Sequence, residues 1–357
     1  MPTEKLLEAA LRGAALRSGP LDRAQLVKEA RRSIRKGSKS FAAASRLFDR
    51  ETRERVWLLY AWCRACDDIA DEQDHGHAIG PVRLGTRLSP EDRLATIRTL
   101  TELAMAGETT GTPAFDALGQ LMREVPLTAA MVDDVLAGFA LDAADWRPRC
   151  EADMLRYCYH VAGAVGVMMA AVMGVSPDDD DTLDRACDLG IAFQIANIVR
   201  DVWEDDAQGR CYLPVEWLVE ADIPPGEVTK PHYRGALVPM IARACALARD
   251  YEASARIGAA RLAFRQRWAV LSAANIYGGI AREVERLGAH AWDHRVHTTR
   301  AEKLAHVWSA WNEAQAGNQN DPDRMAGGGP ESAAEPAGTA PRPALSRREL
   351  REMGLRK

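Results

Sequence analysis

Residues 184–206 read DRACDLGIAFQIANIVRDVWEDD, and this stretch decides the fold. Its apolar side chains recur every three or four positions, which is the spacing of a buried helix face. Three oxygen-bearing side chains, Asn197, Asp201 and Asp205, follow at four-residue intervals and so share one stripe along two turns. Carboxylates on a helix this apolar are costly to bury unless a cation neutralises them. The stretch therefore predicts a core helix that carries a metal-binding row.

The same helical spacing runs through most of the chain. Gly and Pro breaks separate segments of helix length, and runs of alternating β-branched residues are missing. We therefore predict an all-α fold without a sheet, a single-domain helical bundle over residues 1–317. Residues 318–343 are rich in Pro and Gly and contain no Ile, Leu, Val, Phe, Tyr or Trp, so residues 318–357 are predicted to be a disordered tail. Its basic end, from residue 344, can form a short helix, for which a solvated surface is favoured over a membrane contact.

The composition excludes several classes of protein. A net charge of −5 gives no reason to expect a nucleic-acid partner. Seven cysteines, an odd number, favour free thiols in a reducing compartment and a cytoplasmic location. The first residues carry charges of both signs and no apolar core, unlike a signal peptide. The apolar run Val161–Val175 has 15 residues and is better read as a buried core helix than as a membrane span.

A second pair of carboxylates, Asp67 and Asp71, shares one helix face four residues apart. Magnesium is typically held by one or two carboxylates together with substrate phosphates. Two such rows facing one another across a bundle would hold several divalent cations over an apolar cavity. That arrangement suits a diphosphate group attached to a hydrophobic chain.

Two other motifs resemble metal sites, but the sequence supports them less well. Glu72 and His75 form an E-x-x-H, as in di-iron bundles, but the sequence holds no second copy. Cys63 and Cys66 lack the second pair that a structural zinc site needs. The E-x-x-H is better interpreted as a coincidence, and the two cysteines as small residues of the core.

Basic and hydroxyl residues accompany the aspartates. Arg64 precedes Asp67 by three residues, Arg200 precedes Asp201 directly, and Arg210 follows in the turn GRCYLP. A helix start with free backbone N–H groups is predicted at GSKSF, residues 37–41. Together these groups suit an anion that arrives with its metal ions.

Five stretches resemble the squalene/phytoene synthase family, and in particular its bacterial phytoene synthases. They are GSKSF (37–41), YAWCRACDDIADEQ (60–73), YCYHVAGAVGVMM (157–169), QIANIVRDVWEDDAQGRCYLP (194–214) and ANIYGGIAREVERLGAHAWDHRV (274–296). The resemblance covers roughly residues 25–310 in family order, and the paired aspartate motifs are specific when they accompany YCYxVAG and RCYLP.

The resemblance implies an isoprenoid-synthase fold with one central cavity. It also implies the head-to-head condensation of two geranylgeranyl diphosphates, through prephytoene diphosphate, to 15-cis-phytoene, the first committed step of carotenoid biosynthesis. Mg²⁺ or Mn²⁺ is the expected cofactor, and NADPH is not expected. The lipophilic substrate adds the expectation of peripheral contact with the inner face of the cytoplasmic membrane, and the oligomeric state is left open.

The resemblance also implies roles for individual residues. The implied metal ligands are Asp67, Asp71, Asn197, Asp201 and Asp205. The implied contacts to the diphosphate or to the chain near it are Ser38, Lys39, Ser40, Tyr60, Arg64, Gln194, Arg200, Arg210 and Tyr277. Tyr157 would lie beside the reacting carbons, so the catalytic set comprises Tyr157, Arg64 and the four aspartates. One departure is Gly37, where some relatives have His.

Alternatives remain within and outside this chemistry. A synthase that makes squalene, dehydrosqualene or presqualene diphosphate from farnesyl diphosphate would carry the same aspartate motifs. The sequence has no G-x-G-x-x-G unit for NADPH, although a bundle can bind that cofactor without one. A catalytically dead binding factor would show eroded aspartates, and both motifs are whole here.

Overall fold

The structure is a computed structural model that describes residues 21–71, 73–74, 77–78, 88–144, 146–319, 342 and 345–353. Helices are the dominant secondary structure of these ranges, which confirms the all-α prediction. One difference is a small antiparallel pairing of β1 (Gln73–Asp74) with β2 (His77–Ala78), where we expected no sheet. Strands of two residues are too short to produce an alternating pattern, so the sequence carried no signal for them.

The chain divides into two compact units, Met1–Trp146 with Val167–Asp180, and Arg147–Gly166 with Asp181–Lys357. The helices of the first unit are α1 (Arg23–Gly37), α2 (Lys39–Ala44), α3 (Arg50–Ala70), α4 (Pro90–Met105), α5 (Pro113–Glu124) and α6 (Ala129–Ala143), with a 3₁₀ turn at Ser45–Leu47.

Helix α3 is the central element of the first unit because it carries the first aspartate row. Asp49 caps its start, because the Asp49 carboxylate accepts the backbone N–H of Thr52 at 2.9 Å. Its apolar face, which includes Val56, Leu59 and Trp62, is buried. Helices α1 and α5 both pack against it. The carboxylates at its last turn therefore project from a helix that is fixed along its length.

The second unit contains the second aspartate row. Its helices are α7 (Glu151–Cys158), a π-helical turn (Tyr159–Gly163), α8 (Ala164–Val172, which continues into the first unit), α9 (Asp180–Arg200), α10 (Val202–Ala207), α11 (Val215–Glu220), α12 (Arg234–Ala259), α13 (Phe264–Leu287), α14 (Arg300–Gln319) and α15 (Arg347–Glu352), with 3₁₀ turns at Pro231–Tyr233 and Gly288–His290.

Glycines let the π turn and the start of α8 lie directly against α9. A Cβ at Gly190 would lie 2.3 Å from the carbonyl oxygen of Ala162, and a Cβ at Gly166 would lie 2.4 Å from that of Ala186. Both neighbours are backbone atoms, which cannot rotate away as a side chain can. The contact therefore requires glycine at both positions, and close helix packing is one role of the glycine-rich segment.

Within the described residues, the helical stretch Glu151–Val172 alone is long and apolar enough to cross a membrane, and 67 % of its most apolar window is buried inside the protein. A core helix meets the same length and composition criteria. All seven cysteines are free thiols, as their odd number indicated. The boundary at residue 317 and the disorder of the tail stay predictions, since residues 320–341 lie outside the described ranges.

Candidate active site

The first aspartate row lies at the end of α3. The helix ends at Ala70, and Asp71 caps it by donating its backbone N–H to the carbonyl of Asp67 at 2.9 Å. Loss of hydration is the largest cause that raises the pKa of Asp67 to about 7. Arg64 opposes the rise in pKa, and the neighbouring carboxylate of Asp71 adds to it. A cation nearby would stabilise the charged form of a carboxyl group in this environment.

Two buried polar atoms next to this row, the phenol oxygen of Tyr60 and the Nε of Arg64, make no hydrogen bond of good geometry, although the two side chains lie close enough to interact with each other. The guanidinium of Arg64 makes only long contacts to carboxylates, 3.9 Å to Asp67 and 3.8 Å to Asp68. Buried donors without partners are rare in proteins. Their presence beside Asp67 fits a site for an oxygen-rich anion.

Gly37, the one departure from the family pattern, lies next to Tyr60 in this structure. A Cβ at this position would lie 2.4 Å from the phenol oxygen of Tyr60. The next residue, Ser38, caps α2 by accepting the backbone N–H of Phe41 at 3.2 Å. The ring of Phe41 lies 5.6 Å from that of Tyr60. The backbones of Lys39 and Ser40 form the first turn of α2, and their side chains lie outside the described parts of the chain.

The second aspartate row differs from the predicted stripe in one respect, because the helix is interrupted at Asp201. Helix α9 ends at Arg200 and α10 begins at Val202, with Asp201 between them at φ −99° and ψ 17°. The four-residue hydrogen-bond spacing continues across the junction. Asp201 donates its N–H to the carbonyl of Asn197 at 2.9 Å, and Asp205 donates its N–H to the carbonyl of Asp201 at 2.8 Å.

Two arginines hold the carboxylate of Asp201. Arg295 donates from Nε at 2.9 Å and from Nη2 at 3.0 Å, while Arg200 donates from Nε at 2.7 Å. Burial alone would raise the pKa of Asp201, but these hydrogen bonds outweigh it and the pKa lies below its usual value. Sequence reasoning missed Arg295, although it belongs to the stretch AWDHRV that carries part of the resemblance.

Asp205 has the opposite electrostatic environment. Burial is the largest cause that raises its pKa to about 7, and the charge of Asp201 adds to the rise. Arg210 lowers the pKa again and donates its backbone N–H to the carbonyl of Asp205 at 2.9 Å. That bond closes a turn through Gly209, whose φ of +73° suits glycine. The turn therefore brings Arg210 back to the aspartate row.

The remaining predicted residues of the second unit lie near this row or in aromatic stacks. Asn197 donates from Nδ2 to the side-chain oxygen of Gln194 at 3.5 Å. Tyr157 stacks on Tyr212 with ring centroids 4.7 Å apart. Tyr277 stacks on Phe193 with 4.2 Å between the ring centroids. Sequence reasoning missed Phe193.

The donor set fits a hard divalent cation that also needs ligands from its substrate. In the described ranges no group of three or more His, Cys, Asp or Glu side chains is arranged to hold a metal ion. Mg²⁺ usually takes one or two carboxylates and completes its coordination with water and phosphate oxygens. Each row offers two carboxylates, and one carboxyl of each has a pKa near 7. Glu72 and His75, the two residues of the rival E-x-x-H, lie outside the described residues.

Comparison with known proteins identifies the family. The profile described as squalene/phytoene synthase matches residues 34–302, which include both aspartate rows. The chain belongs to the squalene/phytoene synthase family. The match ends before most of α14 and before α15.

Members of this family resemble the chain over most of its length. A phytoene synthase from Pseudescherichia vulneris is 44 % identical over 285 residues, 80 % of this chain and 91 % of the relative. A 15-cis-phytoene synthase from Pantoea ananas is 44 % identical over 278 residues, 78 % of this chain and 88 % of the relative. Among solved structures, a dehydrosqualene synthase matches 82 % of this chain and 98 % of its own with a TM-score of 0.71 at 24 % identity, which shows the shared fold.

Proposed function

We propose that this protein is a 15-cis-phytoene synthase that condenses two geranylgeranyl diphosphates head to head, through prephytoene diphosphate, to phytoene. The observation that carries the proposal is the pair of intact aspartate rows in a chain 44 % identical to phytoene synthases over four fifths of its length. Each row includes a carboxyl whose pKa is raised to about 7 and has an arginine beside it.

The proposed metal ligands are the residues of the two rows. Asp67 and Asp71 would hold Mg²⁺ or Mn²⁺ in the first unit, and Asn197, Asp201 and Asp205 would do so in the second. Bound divalent ions would stabilise the negative charge of the departing diphosphate. The Nε of Arg64 and the phenol of Tyr60 would donate to the diphosphate oxygens, and the cation left on the carbon chain would be stabilised by the aromatic face of Tyr157.

The test is a product assay with purified protein, Mg²⁺ and geranylgeranyl diphosphate, without NADPH. We expect a C40 hydrocarbon with the mass of phytoene. A C30 hydrocarbon or presqualene diphosphate, formed from farnesyl diphosphate when geranylgeranyl diphosphate gives no product, would overturn the proposed substrate and favour the C15 alternative. No product from either substrate would favour a non-enzymatic role.

Metal binding is testable without turnover. We expect millimolar Mg²⁺ with inorganic diphosphate to raise the thermal unfolding temperature, because a ligand that binds only the folded state stabilises it. The rise should be several degrees for wild type and much smaller for Asp67→Asn, as measured by differential scanning fluorimetry. The exposed Asp133→Asn serves as the matched control and should respond like wild type. Equal rises in all three proteins would contradict the ligand assignment.

We also propose that the protein is cytoplasmic and contacts the membrane peripherally. Leu304 and Trp308, one turn apart on α14, are 72 % and 68 % exposed, and the transfer of a C20 chain into lipid is favourable. We expect Leu304→Ser/Trp308→Ser to reduce co-sedimentation with anionic liposomes severalfold. The control Val215→Ser/Val219→Ser removes exposed apolar surface on α11 and should bind like wild type. Liposome binding that is absent from wild type, or unchanged in the α14 variant, would contradict the proposal.

A further inference from the structure

The basic C-terminal segment, defined here as Arg342 and residues 345–353, contacts helix α9 of the second unit. Arg342 donates from Nη1 to Asp184 at 2.5 Å and bridges both carboxylate oxygens of Asp188, at 2.9 and 3.2 Å. Arg347 donates from Nε to the other oxygen of Asp184 at 2.6 Å. Two arginines thus neutralise two aspartates that lie one turn apart on α9.

These ion pairs are shielded from solvent, unlike ordinary surface salt bridges. The side chain of Asp188 is 0 % exposed, and those of Asp184, Arg342 and Arg347 are 12–16 % exposed. Asp188 has one further partner, the hydroxyl of Ser254 at 2.6 Å. A buried carboxylate that loses its arginine must recruit water or shift its helix, which makes such a pair sensitive to the removal of one partner.

Local interactions also stabilise the helix within the C-terminal segment. Ser346 and Glu349 form a reciprocal capping box at the start of α15, and the side chain of Leu350 in the same helix is 0 % exposed. The next arginine, Arg348, points to solvent, is 88 % exposed and pairs with Glu352 alone in the described chain. The short helix that the sequence allowed at this basic end is therefore present, and the side chain of Leu350 anchors it in the protein.

The attachment site lies on the helix that carries the ligand row. Asp188 precedes Asn197 by nine residues, roughly 14 Å along the helix axis. It also precedes Gly190 by two residues, where α9 touches backbone of the π turn. A displacement of α9 at Asp188 would therefore shift the helix at its closest packing contact.

We propose that the C-terminal segment is an intramolecular clamp that holds α9, and through it Asn197 and Gln194, in the position needed for turnover. The acidic pair Asp184 and Asp188 is the clamp's docking surface, and the chain's own Arg342 and Arg347 are its partner. The effect on turnover rests on the proposed function, whereas the docking does not. Arg342 and Arg347 act as positioning residues through α9.

The test compares Arg342→Gln/Arg347→Gln with the control Arg348→Gln in the full-length protein. We expect amide hydrogen exchange of residues 184–192 to become about tenfold faster in the double variant. Under saturating Mg²⁺ we expect kcat to fall about fivefold with KM changed less than twofold, because misplacing α9 disturbs Asn197 and Gln194 while the substrate contacts on the other helices remain. The control should match wild type, and Arg342→Lys/Arg347→Lys should recover part of the protection.

Several results would overturn the clamp. Exchange and kcat that match wild type in the double variant would contradict it, as would equal effects in Arg348→Gln. Protection of residues 184–192 that falls when wild type is diluted would mean that a second copy supplies the segment. If the double variant does not fold, Arg347→Gln alone decides the same question by exchange. A wild type without turnover would contradict the proposed function, and the exchange measurement would still decide the docking.

Discussion

Asp67→Asn should lower the kcat for geranylgeranyl diphosphate by roughly 10³-fold or more. The folded variant should nevertheless be at least as stable to unfolding as wild type. The two effects have one electrostatic origin. Folding raises the pKa of Asp67 to about 7, so the charged carboxylate costs some stability in the protein without metal, a cost that solvent reduces because the side chain is 45 % exposed. A neutral amide removes that cost together with the charge that would hold the cation.

The measurement pairs steady-state kinetics with thermal unfolding. Asp201→Asn should lose turnover to a similar extent but should also lower the unfolding temperature, because Asp201 accepts charged hydrogen bonds from Arg200 and Arg295. The exposed Asp250→Asn is the control for an Asp-to-Asn exchange in the same unit. Wild-type turnover in both Asp67→Asn and Asp201→Asn would refute the metal assignment.

Gly190→Ala should lower the free energy of unfolding by about 2 kcal/mol, although alanine is the better helix former. The new Cβ would lie 2.3 Å from the carbonyl oxygen of Ala162 and 2.7 Å from the Cα of Gly163. Neither backbone atom can rotate away, so the π turn and α9 must separate. We expect turnover to fall as well, because Gln194 and Asn197 follow on α9.

Urea unfolding followed by circular dichroism measures this change in stability. Gly235→Ala is the matched control, since Gly235 also lies in a helix but a Cβ there meets nothing within 4 Å. That variant should be unchanged or more stable by up to about 1 kcal/mol. Equal effects of the two substitutions would contradict the role of close packing at Gly190.

The sequence predicted the local features well, because helical spacing is a local property. The all-α fold followed from apolar periodicity, and the spacing within each aspartate row followed from the geometry of one helix turn. The break at Asp201 did not, because the junction keeps the four-residue hydrogen-bond spacing. Whether the two rows face one another across a cavity stays a prediction.

Contacts between distant parts of the chain could not be read in this way. Arg295 reaches Asp201 across 94 residues, and Arg342 reaches Asp188 across 154. No local pattern marks such pairs, since an isolated arginine is most often a surface residue. The unpaired phenol of Tyr60 is likewise visible only where the packing around Gly37 is known.

The glycine contact between the π turn and α9 has a consequence for protein engineering. Where side chains separate two helices, exchanging a large one for a small one tunes the distance between them. Here main-chain atoms meet directly, so no substitution can bring these segments closer, and any larger residue at Gly190 or Gly166 pushes them apart. Variants designed to accept longer or shorter prenyl chains should therefore keep glycine at positions 190 and 166 and change other positions.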